Sequence, residues 1–232
     1  MAAICILVTE AVVRERKDAF DRGSIEAANL SAGFEEQIRG TLDGVQGAME
    51  ILKGPIESEG ASFNLSAWEN RVLKLTRPVV EISIVDADGK VRATTTDYAG
   101  PPVYVTERDY FQAHRDNFNL GFFIGAPVVG KMTKRLNISA ARRLETKDGR
   151  FAGVLLFALD PEILTALHRQ VNLGKNSTIN LFRDDGVTLA RYTSRNGLDA
   201  SKLGMKAAPE LMAWSRAELA EFSGCIHPEH QR

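Results

Sequence analysis

Apolar positions along the first quarter of the chain recur every three or four residues: Ile25, Leu30, Phe34, Ile38, Leu42, Val45, Met49 and Leu52. That spacing marks one stripe of a single long helix over Thr9–Lys53, with charged residues such as Arg14, Glu15, Arg16, Lys17 and Asp18 crowding its start. Gly54-Pro55 is the predicted stop. A second, shorter helix is predicted over Ala67–Thr76, with Ser66 as N-cap, Glu69 completing a capping box, and Trp68, Val72 and Leu75 as its apolar side. From Glu81 onward the period changes to two. Strands are predicted at Glu81–Val85, Val91–Thr96, Phe122–Val129, Leu136–Leu144 and Phe151–Leu159, with one helical patch, Glu107–Asp116, among them. Asp86–Gly89 and Lys147-Asp148-Gly149 are turns between neighbouring strands. Five strands around one helix point to an antiparallel sheet with helical cover, an α+β arrangement.

Beyond Pro161 the pattern begins again. A short helix, Glu162–Gln170, and a linker, Val171–Asn176, lead to a strand at Thr178–Arg183, an Asp184-Asp185-Gly186 turn and a strand at Val187–Tyr192. ISIVDADGKVRATT and INLFRDDGVTLARY carry one pattern twice, which implies two domains of one type. A helix is predicted at Ala207–Ala220, and no strand pattern follows it. The expected layout is residues 1–53 as helix, 54–170 as a first domain and 171–232 as an incomplete second one with an open sheet edge.

The order of these elements (strand, Asp-Gly turn, strand, an arginine-led helix start with paired aromatics, a Gly-x-Pro strand, then a hairpin) resembles the Cache, or PAS-like, extracytoplasmic sensor domains. The long helix before it and the second Asp-Gly hairpin after it resemble the double Cache arrangement. The resemblance covers roughly Glu26–Arg191 and implies the periplasmic region of a bacterial histidine kinase, diguanylate cyclase or chemoreceptor. It also implies attachment to the inner membrane and a homodimer formed through the N-terminal helix. Ala2–Val8 would then be the last turns of a membrane-crossing helix, because alone it is far shorter than the about 20 apolar residues a crossing needs. A buried or frayed helix start is the other reading of the same residues.

In sensors of this kind that bind amino acids, an arginine–aromatic element at the helix start grips the ligand carboxylate. Arg108, Tyr110 and Phe111 of Glu107-Arg108-Asp109-Tyr110-Phe111 match it, with tyrosine where tryptophan is usual. An arginine fork suits bidentate carboxylate binding, and a helix N-terminus adds positive partial charge. His114 lies one turn beyond Tyr110. Lys131, just past the third predicted strand, and Ser139 and Arg143, on the fourth, complete the candidate ligand contacts. Alternation puts Asn137, Ser139, Ala141 and Arg143 on one face and Leu136, Ile138, Ala140 and Arg142 on the core face. Asp97, Tyr98 and Tyr104 belong to the loop expected to lid the pocket. The acid that receives a ligand's ammonium in those sensors would fall near Phe157 or Ala158, both uncharged. With Asp116 as the only acid between Tyr110 and Leu144, the expected ligand is a small anionic, carboxylate-type metabolite.

Composition narrows the alternatives. The 232 residues carry a net charge of −1 with 44% hydrophobic content, which is globular and lacks the basic footprint of a nucleic-acid binder. Two cysteines, Cys5 and Cys225, leave a disulfide between the ends open and provide no metal pair. His227-Pro228-Glu229-His230 has too few ligands for a metal site, and no cofactor motif occurs. There is no Gly-x-Ser-x-Gly elbow and no phosphate-binding glycine loop, so the expectation is a sensor and not an enzyme. The alternative function is a structural or dimerisation module working through the long helix without a ligand.

Overall fold

The computed structural model describes residues 2–76, 78–164, 177–210, 212 and 213. The chain falls into two compact units, the larger being Gly40–Ala213; the described part of the other is the helical segment 2–39. In that segment Phe20 and Ile25 are exposed, and Glu35 pairs with Arg39 one turn on.

Helix α1 spans Ala2–Glu59. Its continuation through Pro55 corrects the predicted stop. Leu52 and Ile56, on either side of the proline, are both fully buried, and packing them keeps the chain helical. The carbonyl of Ile51, which loses its donor to the proline ring, belongs to an exposed residue. Helix α2 covers Ser66–Leu75; Leu65, not Ser66, is its N-cap and no side chain caps there, while just before it Asn64 Oδ1 accepts from the Ser66 N–H at 3.2 Å. Trp68 lies partly buried, 6.2 Å from the Phe63 ring.

The strands follow the alternation closely. They are β1 (Val79–Asp86), β2 (Val91–Thr94), β3 (Phe123–Ile124), β4 (Val128–Val129), β5 (Leu136–Glu145) and β6 (Phe151–Leu159). Helix α3, Asp109–Asp116, sits between β2 and β3 in the chain. The sheet is antiparallel in the order β2-β1-β6-β5-β3, with β4 also pairing β5. The strand predicted over Phe122–Val129 is therefore two short pieces. Pro127 cannot donate to a ladder, and the N–H of Ala126 turns instead to Asp109 Oδ2 at 2.9 Å.

Both faces of this sheet are covered. On one, Ile82, Ile84, Ile138, Ala140, Leu155 and Phe157 pack against Val45, Met49, Leu52 and Ile56 of α1. On the other, Val85, Ala141, Val154 and Leu156 pack against Val105, Tyr110 and Phe111. The face of Asn137, Ser139, Ala141 and Arg143 is thus a second, smaller core beneath α3, in addition to the expected one. Cation–carboxylate pairing of Arg142 with Glu50, and a 2.8 Å bond from Glu145 N–H to Glu57 Oε1, tie β5 to α1.

A short helix α4, Pro161–Leu164, then leads to a second sheet. It has the order β7-β8-β9, from β7 (Thr178–Phe182), β8 (Thr188–Thr193) and β9 (Gly197–Leu198). The expected Val171–Asn176 linker, most of the Glu162–Gln170 and Ala207–Ala220 helices, Cys225 and the histidine pair at 227 and 230 lie outside the described residues. No helix among the described residues is long and apolar enough to cross a membrane.

Candidate functional site

The start of α3 is built by the loop before it. Val105 N–H bonds Gly89 O at 2.8 Å, which fastens the loop to the first Asp-Gly turn. A Cβ on Gly89 would come within 2.4 Å of the Thr106 side chain, and φ there is +80°, so the position demands glycine. Gln112 Nε2 donates to Thr106 O at 3.2 Å. Arg108, in extended conformation at the N-cap, is thereby held beside β4.

Arg108 donates to Val129 O at 3.1 Å, and its Nε lies 3.3 Å from Glu107 Oε1. Lys131 approaches the same carboxylate at 2.7 Å and donates to the Tyr104 carbonyl. Two cations thus share one acid at the mouth of α3, where the Arg108 and Lys131 side chains retain 19% and 37% exposure. Burial opposes ionisation of Glu107, but the Lys131 hydrogen bond and the neighbouring positive charges outweigh it and hold its carboxyl below the usual range. Two cations around one carboxylate leave this cluster with net positive charge.

Beneath this cluster Tyr110 and Ser139 are buried. Burial pushes the Tyr110 hydroxyl's pKa up; the Arg108 charge opposes that, and the charges of Glu107, Glu81 and Asp109 reinforce it. Ser139 and Asp109 flank Gly125 so closely that a Cβ there would sit 3.4 Å and 3.0 Å from their side chains. The remaining candidates lie in the packed layer. Phe111 meets Phe151 edge-to-face at 5.5 Å. His114 is fully buried against Phe123, and neither ring nitrogen completes a hydrogen bond. Burial is the main cause that lowers its pKa from 6.5 to about 4; the nearby Ala141 carbonyl works against this and the charges of Arg143, Arg142 and Lys53 work with it. Arg143 donates to the His114 carbonyl and to Glu145, with its guanidinium 4.8 Å from the Phe151 ring. The structure therefore brings Arg108, Tyr110, Lys131 and Ser139 to the head of α3, and sets Phe111, His114 and Arg143 along its buried side.

Three residues at this site escaped the sequence reading. Asp109 accepts from Ala126 N–H and, at 3.1 Å, from Arg183 of the second sheet. Arg183 also donates to Ile124 O at 2.9 Å and lies 5.5 Å from the Phe123 ring. Glu81 is 5% exposed on β1, in a run, Val-Val-Glu-Ile-Ser-Ile-Val, whose apolar neighbours hid it. Its one signal was an acid inside a strand pattern. An open groove of about 440 Å³ lies along α3, lined by residues that include Asp109, Gln112, Asp116, Asn117 and Phe123, none of them a predicted contact. Among the described residues no cluster of potential metal ligands occurs.

No family model matches the chain, and no curated protein matches it. Solved structures do. The extracellular domain of the putative histidine kinase rpHK1S-Z16 is similar at TM-score 0.66 and 21% identity, over 85% of this chain and 76% of that one. The ligand-binding domain of the Pseudomonas fluorescens chemoreceptor CtaA, in complex with L-serine, gives 0.54 and 19%, over 75% and 71%. That of the Pseudomonas aeruginosa chemoreceptor PctC, in complex with GABA, gives 0.51 and 16%, over 67% and 70%. The fold is thus the Cache-type fold of extracellular sensory domains.

Proposed function

We propose that this chain is the extracytoplasmic ligand-sensing region of a bacterial transmembrane signalling receptor and that it takes a small carboxylate-bearing metabolite. The observation that carries the reading is the Arg108–Glu107–Lys131 cluster at the head of α3, above buried Tyr110 and Ser139. Two cations around one carboxylate can exchange part of that pairing for a ligand carboxylate, to which the arginine offers two parallel donors. The ligand enters between the sheet and the loop Tyr98–Thr106, and ordering that loop moves the Gly89 turn to which it is bonded. Support for the class comes from the shared fold and from neighbours whose solved domains hold L-serine or GABA. In this proposal residues 54–170 form the ligand-binding domain, 171–232 belong to a membrane-proximal one, and α1 carries the signal toward the inner membrane as part of a homodimer.

Thermal unfolding of the purified chain with a panel of organic acids and amino acids tests this. At least one carboxylate raises the midpoint, and Arg108→Ala abolishes the rise; an undiminished rise in that variant would refute the assignment. The exposure of Phe20 and Ile25 on α1 favours a second reading, a dimerisation module without a ligand. A concentration-dependent dimer in sedimentation, with no carboxylate effect, would select it.

A further inference from the structure

We infer that the outer edge of β7 pairs with β7 of a second copy of this chain, joining two three-stranded sheets into one across a twofold axis. The pairing involves neither the residues around Arg108 nor α1.

β7 is an outer strand of its sheet, whose order is β7-β8-β9. Ser194 N–H bonds Ser177 O at 3.0 Å, and Arg183 N–H bonds Val187 O at 2.9 Å at the other end. Both ends of β7 thus face β8, as do Ile179 and Leu181 between them. Alternation turns the N–H and C=O groups of Thr178, Asn180 and Phe182 to the outer edge. The first copy shows what such an edge holds. Counted back from the turn glycines, Gly186 and Gly89, these three residues correspond to Glu81, Ser83 and Val85. Ile82 O accepts from Thr95 N–H at 2.9 Å on the β2 side. Glu81, Ser83 and Val85 therefore face β6, opposite Ala158, Leu156 and Val154. Among the described residues no strand stands beside β7 in the place of β6.

The other outer strands are guarded. β3, β4 and β9 are short, and the returning loop closes on β2 through the Lys90–Tyr104 bridge and the bond from Val91 N–H to Val103 O. β7 reads Thr-Ile-Asn-Leu-Phe, with neither a charge nor a proline. An unguarded edge of that composition is a template for another strand. The chain's remaining sequence offers none by pattern: residues 165–176 read as helix and linker, and 214–232 carry no alternating apolar run. A second β7 is self-complementary to the first. Laid antiparallel about Asn180, Thr178 meets the partner's Phe182, Asn180 meets the partner's Asn180, and Phe182 meets the partner's Thr178. Each of these is a hydrogen-bonded pair, giving roughly six N–H···O bonds in all. Between them Ile179 lies opposite the partner's Leu181, and no charge opposes a like charge. Leu181 packs against the main core, so the apolar face continues across the axis. A contact of this symmetry uses one patch twice and closes as a dimer.

The test joins sedimentation equilibrium to hydrogen exchange on the purified chain over a series of concentrations. The wild type forms a dimer on concentration, and the amides of Thr178, Asn180 and Phe182 gain protection as it does. Asn180→Pro removes the central donor from each copy. That N–H faces away from β8, so the hairpin keeps its own bonds while the dimer weakens about tenfold or more. Asn180→Lys keeps the donor and opposes two like charges across the axis; it weakens the dimer too, more at low salt than at high. Circular dichroism confirms that each variant is folded. A chain that stays monomeric at every concentration overturns the inference. So does a dimer that both variants leave unchanged, as association through α1 alone would be. Full protection of the three amides in the dilute monomer also overturns it, because another segment of the chain then fills the edge. None of these results bears on carboxylate binding at Arg108, which is read separately.

Discussion

The hairpins β1–β2 and β7–β8 are built on one frame. Each turns on a glycine of positive φ, +80° at Gly89 and +85° at Gly186. Each carries its strand irregularity at the corresponding place, between Ile84 and Val85 and between Leu181 and Phe182. The chain leaving each hairpin comes back to it in the same way: Val91 N–H to Val103 O and Val105 N–H to Gly89 O in the first, Thr188 N–H to Met205 O and Ala207 N–H to Gly186 O in the second. A Cβ on either glycine would next meet a side chain from the segment beyond, Phe111 or Met212. The duplication seen in one hairpin's sequence extends through the returning loop.

The side chains on that frame differ, and the difference assigns roles. In the first turn Asp86 Oδ1 accepts from the N–H groups of Asp88 and Lys90. At the corresponding place in the second stands Arg183, and Asp185 takes over the turn, accepting from Val187 N–H while pairing with Arg183 through both oxygens. The remaining guanidinium nitrogen is free to reach Asp109, so the second hairpin grips the head of α3 in the first. Past the loop, the first copy presents Glu107-Arg108, and the second presents Ala208-Pro209-Glu210 with no cation. The proposed anion site therefore belongs to the first of the two exits. Backbone bonds reproduce a scaffold, and the side chains at the loop exit are where the two copies differ.

The comparison breaks most readily at the aromatic under the first turn. Phe111→Ala is expected to cost about 3–5 kcal/mol, the range for a fully buried phenylalanine. Met212→Ala, at the partly buried counterpart, costs about 1 kcal/mol or less. Urea unfolding measures both, and equal losses would deny that the first turn is the better packed. Next comes the link between the copies. Arg183→Gln and Asp109→Asn each cost about 1–3 kcal/mol, as hydrogen bonds between charged groups do, and the double variant costs less than their sum. Strict additivity in the cycle would mean that the two do not act together.

A pH effect distinguishes the copies further, because His114 belongs to the first alone. Its folded pKa of about 4 lies below the ordinary 6.5, so as pH falls through 6.5 the unfolded chain takes the proton first. Stability therefore declines between pH 6.5 and about 4, and below that this group adds no further loss. His114→Leu is expected to flatten that interval in urea midpoints taken from pH 7.5 to 4; an identical slope in wild type and variant would assign the decline elsewhere. The smallest effect on stability is expected at the proposed binding position. Arg108→Ala shifts the unfolding free energy by about 0.5 kcal/mol or less, since its pairs are partly solvated, while carboxylate binding is lost. A large loss of stability would make Arg108 a structural residue.

What the sequence alone determined is what depends on near neighbours. Period-two alternation located β1, β2, β5, β6, β7 and β8, and the Asp-Gly turns located the hairpins, since a positive φ is a property of one residue and its flanks. Val45, Met49 and Leu52 declared themselves as the buried stripe of α1 by spacing alone, whereas Arg108, Tyr110 and the other candidate contacts were nominated through the Cache resemblance. Tertiary structure decided everything that needed a distant partner. Burial of Leu52 and Ile56 carried α1 past Pro55. Asp109 broke the Phe122–Val129 strand by drawing off Ala126 N–H. Packing beneath α3 enclosed Phe111, His114 and Arg143, cross-strand register set Glu81 beside Ala158, and Arg183 met Asp109 across 74 residues of chain. Burial and charge pairing are sums over the whole folded surroundings, and no window of sequence contains them.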